Sequence, residues 1–237
     1  MFRQPDSLYA GVLLCSAIIL AVVDGSLFWL RMPGDERLRN YRLSRRFVGW
    51  AYFSLAFTDV LWLLFLREEY ELDFTRILVL AVAAVQATMF SGALVTLVNS
   101  RFPLARGVRR HLLAVAAGTA SLFGCMLFFP QAFPVLFRLT AAAYCVQIAL
   151  FARTFVREYR VCRRKLDNFF SDGEMRRLRW VAMSFLMTAL IGLTAAAWLV
   201  SGLGMPYLFA FTGVYMVFYT FFGMKYINYP AEFGRIA

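Results

Sequence analysis

Seven apolar runs, near residues 8–30, 47–66, 77–98, 112–129, 135–156, 180–203 and 207–227, are separated by short polar connectors. Each approaches the roughly 20 residues that a helix needs to cross a bilayer. The pattern predicts an all-α, polytopic membrane protein: a seven-transmembrane-helix bundle forming one membrane domain over residues 1–237. Pro33 and Gly34 end the first run, Pro130 and Pro134 make a tight turn between the fourth and fifth, and Gly204 and Pro206 separate the last two.

The connectors carry the orientation. Residues 31–46 hold six Arg against Asp35 and Glu36, residues 99–111 hold four Arg and no acid, and residues 153–180 hold nine Lys and Arg. By contrast, REEYELDFTR between the second and third runs holds four acids and only Arg67 and Arg76. Basic residues stay on the cytoplasmic side. Placing the N-terminus outside and the C-terminus inside puts 21 of the 25 Lys and Arg within and leaves Arg3, Arg67, Arg76 and Arg138 outside. The same bias accounts for a net charge of +11 in a chain that is 61% hydrophobic with mean hydropathy +0.64, so direct nucleic-acid binding is not expected. The first run reads as an uncleaved signal anchor. Trp29, Trp50, Trp180 and Tyr226 fall near the predicted interfaces.

The stretch from Arg153 to Trp180 reads as a cytoplasmic helical hairpin. A helix continues to about Leu166, Asp167 and Asn168 favour a turn, and Ser171 with Glu174 forms a capping box that restarts a helix at about Asp172. As a functional surface, with Ser171, Glu174, Arg176 and Arg177 as its output residues, the hairpin passes a change in helix packing to a partner. As a bland alternative it is a solvated connector.

Chemistry is sparse. His111 is the one histidine and the four cysteines have no CxxC spacing, so neither a metal nor a haem site is expected. Lys225, the one lysine of the last run, lies at its cytoplasmic end, where snorkelling accounts for it better than a Schiff base. No hydrolase, metalloprotease or phosphate-loop motif is present, so no enzyme and no cofactor are expected. What remains is a polar set within the spans: Tyr52, Asp59, Gln86, Arg138, Thr140, Tyr144, Gln147, Tyr215 and Tyr219. These residues line a ligand cavity or hold the helices together by hydrogen bonds. Thr140, Tyr144 and Gln147 share a helix face; Arg138, about 900° of rotation from Gln147, lies opposite. Asp59 and Arg138 are the nearest opposite charges at similar depth, which suggests an intramembrane ion pair. Asp24 is expected to meet the basic connectors.

The segments LDNFFSDGEMRRLRWV, FVREYRVCRRK, RNYRLSRRFVGWAY and YMVFYTFFGMKYINYP resemble the N-terminal membrane domains of bacterial AraC-type regulators. The resemblance implies a sensory input domain in the bacterial cytoplasmic (inner) membrane that controls transcription through a helix-turn-helix module. No such module follows the last span before Ala237, so the output would be a further domain or a separate protein. The expected partners are the lipid bilayer, an unidentified small-molecule or protein stimulus and that output, with homodimerisation also open. Service to a histidine kinase and a small transporter are the alternatives. Against transport, Pro33, Pro130, Pro134 and Pro206 all sit in connectors and not within spans. The topology predicts that a cysteine introduced at Asp172 in a Cys-free background is shielded from an impermeant thiol reagent in intact cells. Labelling there would reverse the orientation.

Overall fold

A computed structural model describes residues 3–29, 38–65, 72–99, 104–169, 172–201 and 205–234. It contains seven helices: α1 (Arg3–Trp29), α2 (Arg39–Phe65), α3 (Leu72–Val98), α4 (Leu104–Phe128), α5 (Phe133–Phe169), α6 (Asp172–Ser201) and α7 (Met205–Gly234). No strand occurs among the described residues. Five helices, α1, α3, α4, α5 and α6, are long and apolar enough to cross a membrane by length and composition. The chain is therefore built as a multi-pass membrane protein.

The helices outlast their apolar runs. α2 begins at Arg39 and α4 at Leu104, each eight residues before the hydrocarbon pattern begins, because Arg-rich sequence favours helix and needs no apolar surroundings. The turn expected at Asp167 and Asn168 does not form. α5 runs through both to Phe169, since neither Gly nor Pro interrupts residues 153–169 and Asp or Asn costs a helix only a few tenths of a kcal/mol, up to about 0.7. α6 starts at Asp172, the expected restart. Ser171 and the side chains of Glu174, Arg176 and Arg177 lie outside the described residues.

α3 is the central helix, packed against α2, α4, α5 and α6, whereas α4 is peripheral. More than half of the α3 span is buried and only 6% of the α4 span. α1 shows how a spanning helix divides its faces. Tyr9, Leu13, Ser16, Leu20, Val23 and Leu27, three or four residues apart, are buried, while Leu8, Leu14, Ile18 and Val22 are exposed. Exposed Val135, Leu139, Val146 and Leu150 give α5 a similar outward face, suited to lipid tails. At the end of α1, Arg45 Nε donates to the Leu27 carbonyl, one of the acceptors that the helix terminus leaves without an N–H.

Without a hydrophobic driving force between helices in lipid, close approach depends on small residues. Gly223 on α7 is such a point: a Cβ there would stand 2.5 Å from Val23 Cγ1 and 3.0 Å from Tyr52 Oη. Both neighbours are buried. At Gly49 a Cβ would meet the ring end of Phe28 at 2.6 Å, but that ring is about half exposed and can swing away. We expect Gly223→Ala to lower stability by about 1–3 kcal/mol in detergent and Gly49→Ala by clearly less. Thermal denaturation of the two variants checks this; equal losses would contradict the packing.

Candidate ligand cavity

One buried strip runs along α7. Thr212, Tyr215, Tyr219, Phe222 and Tyr226 follow a spacing of three or four residues, and all are buried. Towards its N-terminal end the strip borders a cavity of about 130 Å³. Its other walls come from Tyr9 and Leu13 of α1, Thr58 and Asp59 of α2, Gln86 and Ala87 of α3, Tyr144 of α5, and Thr188 and Trp198 of α6. The lining draws on the early parts of α1, α5 and α7 and on the late part of α2. Successive helices run in opposite directions, so these parts meet at one end of the bundle.

Asp59 is 4% exposed, and its Oδ1 accepts a 2.5 Å hydrogen bond from Tyr215 Oη. Ser16 Oγ lies 3.2 Å from the same phenol. Because Tyr215 gives its proton to the carboxylate, Ser16 donates to the phenol oxygen, and a three-member chain links α1, α7 and α2. Oδ2 is buried and has no hydrogen-bond partner. The expected ion pair with Arg138 does not form. Arg138 is exposed on α5 and lines neither this cavity nor the one beside it, and the ion pairs among the described residues are Arg76–Asp73 and Arg157–Glu158. Similar depth counted along the two helices did not bring these residues together.

Gln86 extends the pattern across the cavity. Its Nε2 donates to the Ala51 carbonyl at 3.0 Å and to Ser54 Oγ at 2.5 Å, tying α3 to α2, while its buried Oε1 has no partner. Two acceptors thus stand unpaired in one apolar chamber. Buried polar atoms are rarely left so. No family model, curated protein or solved structure matches this chain. The reading of the site therefore rests on its own geometry.

The other residues singled out from the sequence divide into groups. Tyr144 and Tyr219 line the same cavity as Asp59, Gln86 and Tyr215, and Tyr144 Oη donates to the Gly192 carbonyl at 3.2 Å. Thr140 and Gln147 face a separate space of about 230 Å³ between α3, α4 and α5, which His111 also borders. There Gln147 Nε2 donates to Thr88 Oγ1 at 2.8 Å. Tyr52 is fully buried between Phe90, Tyr219 and Phe222, and its hydroxyl donates to the Tyr219 carbonyl. Asp24 makes no ion pair among the described residues, and its buried Oδ1 is unpaired; Arg31 and Arg37 of the connector that it was expected to meet lie outside the described residues.

Sequence reasoning missed Tyr9, Ser16 and Thr58, although the spacing of Tyr9 and Ser16 on the buried face of α1 carried a signal. It also missed Glu158, a buried carboxylate that accepts from Asn99 Nδ2 at 2.9 Å and from Arg157, and so pins the end of α3 to the long α5.

Beyond the cavity the α7 strip continues with its polar groups paired. Tyr41 Oη donates to the Tyr226 carbonyl at 2.9 Å, Tyr226 Oη donates to Ser44 Oγ at 2.6 Å, and Ser44 Oγ donates to the Ala93 carbonyl at 2.8 Å. The first bond has a cause in the sequence: Pro230, four residues on, has no N–H to offer the Tyr226 carbonyl, so Tyr41 supplies the missing donor. Tyr41 stacks on Tyr226 and Tyr229, and Trp180 meets Tyr226 edge-on and Tyr229 at a tilt. A double-mutant cycle tests the cavity geometry. Asp59→Ala, which removes the acceptor, and Tyr215→Phe should couple by about 1 kcal/mol or more, whereas Asp59→Asn and Arg138→Gln should add within about 0.5 kcal/mol. The reverse result would restore the ion pair.

Proposed function

We propose that the chain is a membrane-embedded sensory input domain whose cavity reads a stimulus and whose α7 strip carries the result to the opposite end of the bundle. In this reading all seven helices cross the bilayer, the N-terminus lies outside, and the cavity belongs to the outer half. The basic ends of α2 and α4 and the α5–α6 hairpin face the cytoplasm, as the distribution of Lys and Arg supports. The output is transcriptional, in the manner of the AraC-type regulators whose membrane domains the sequence resembles, and the location is the bacterial inner membrane.

The observation that carries the proposal is the contrast along α7. At one end its tyrosines border unpaired acceptors; at the other they form a paired and stacked cluster with α2 and α6. Tyr219 joins the two, because its ring lines the cavity and its carbonyl is held by Tyr52. A ligand that binds one packing of α7 better than another shifts the equilibrium between them by that difference and by no more. Shifts of this kind reach the cytoplasmic hairpin through Trp180, which packs on Phe222, Tyr226 and Tyr229 near the start of α6.

Filling the cavity by substitution tests the relay without a known stimulus. Ala87→Leu adds bulk to the lining, and amide hydrogen exchange over residues 222–229 should change by about threefold or more, well away from the substituted site. Changes confined to residues around position 87 would leave a cavity with no relay.

A further inference from the structure

We infer that the cavity binds a small organic ammonium ion, with the carboxylate of Asp59 as its counter-ion. The inference rests on the sensory reading, whose cavity it shares, and adds the chemical class of the stimulus. Most donors in the lining are already spent within the protein. Thr58 gives its hydroxyl proton to the Ser54 carbonyl at 2.6 Å, Thr188 to the Ser184 carbonyl at 2.8 Å, Tyr144 to Gly192 and Tyr215 to Asp59. The amide N–H groups of Gln86 are directed at Ala51 and Ser54. The polar atoms left without a partner on cavity residues are therefore acceptors: Asp59 Oδ2 and Gln86 Oε1, on residues 4% and 7% exposed. An occupant must bring donors.

Charge points the same way. In a chain of net charge +11, neither the cavity lining nor the described ion pairs supply a cation to Asp59. A carboxylate removed from water needs a positive partner or a wet surrounding to remain charged. The walls favour an organic cation over a hydrated metal ion, because aliphatic groups and the rings of Tyr9, Trp198, Phe211 and Tyr219 make up most of the lining. Aromatic faces attract an ammonium group and cannot replace the ordered oxygen shell of a metal ion. Size narrows the class further. A cavity of about 150 Å³ holds benzene, so this one, at about 130 Å³, takes an amine bearing a single ring or a short branched chain.

The test uses the full chain, purified in detergent, with three probes of one size: cyclohexylammonium chloride, cyclohexanol and sodium cyclohexanecarboxylate. Sodium chloride matches the ionic strength. The ammonium ion alone should raise Tm saturably, since a ligand that binds only the folded chain stabilises it. Asp59→Asn, which keeps an acceptor for Tyr215, should weaken its binding at least about tenfold, and Gln86→Leu should weaken it less. Where Asp59→Asn fails to fold, the comparison of the three probes on the natural chain decides. Equal stabilisation by cyclohexanol, preference for the carboxylate, or no shift with the ammonium ion overturns the assignment. The two readings fail separately. An ammonium ion that binds but leaves hydrogen exchange at residues 222–229 unchanged removes the sensory role and keeps the site. A relay that responds to Ala87→Leu while no ammonium binds removes the site and keeps the role.

Discussion

Every polar group that a chain carries into hydrocarbon must find its partner within the protein, since no water is there to supply one. In this bundle that requirement is met mainly by hydroxyl groups and not by charges. Ser, Thr and Tyr side chains donate to backbone carbonyls throughout, either one turn back on their own helix, as Thr88 and Thr96 do, or across to a neighbour, as Tyr41, Ser44 and Tyr52 do. The cross-helix bonds fix how α2, α3 and α7 are rotated against one another. Pro230 makes the dependence explicit, since the carbonyl that it leaves bare is the one that Tyr41 reaches.

Against this background the unpaired atoms stand out. Asp59 Oδ2 and Gln86 Oε1 belong to residues that line one chamber, and the strip of α7 that borders it leads without interruption into the paired cluster around Tyr226. A site left incomplete at one end of a rigid strip, with the strip anchored at the other, is a workable arrangement for sensing. In the proposed reading, binding completes the hydrogen bonds at the cavity end, and the other end has discrete partners that it must keep or lose together.

Much of the fold was legible in the sequence because bilayer thickness and loop charge are strong constraints acting over whole segments. The positions of the apolar runs, the restart of α6 at Asp172 and the shared face of Thr140, Tyr144 and Gln147 follow from composition and helical period. Helix ends were less legible, since a helix continues past the hydrocarbon wherever its residues permit, as α5 does through Asp167 and Asn168. The contacts across the cavity were least legible. Depth along a helix can be counted from sequence, but the rotation of one helix against another cannot, and so Asp59 was matched with the nearest cation at its level. Its actual partner is Tyr215, a neutral donor that a search for opposite charges passes over.

The account stands or falls on whether the state of the cavity reaches the far end of α7. Spin labels placed at Lys225 on α7 and Arg164 on the α5 extension, both exposed, report that geometry directly by pulsed electron–electron distance measurement. With saturating cyclohexylammonium the distance distribution should shift, and Asp59→Asn should abolish the shift. Superimposable distributions with and without the amine, in a chain shown to bind it, would contradict the coupling.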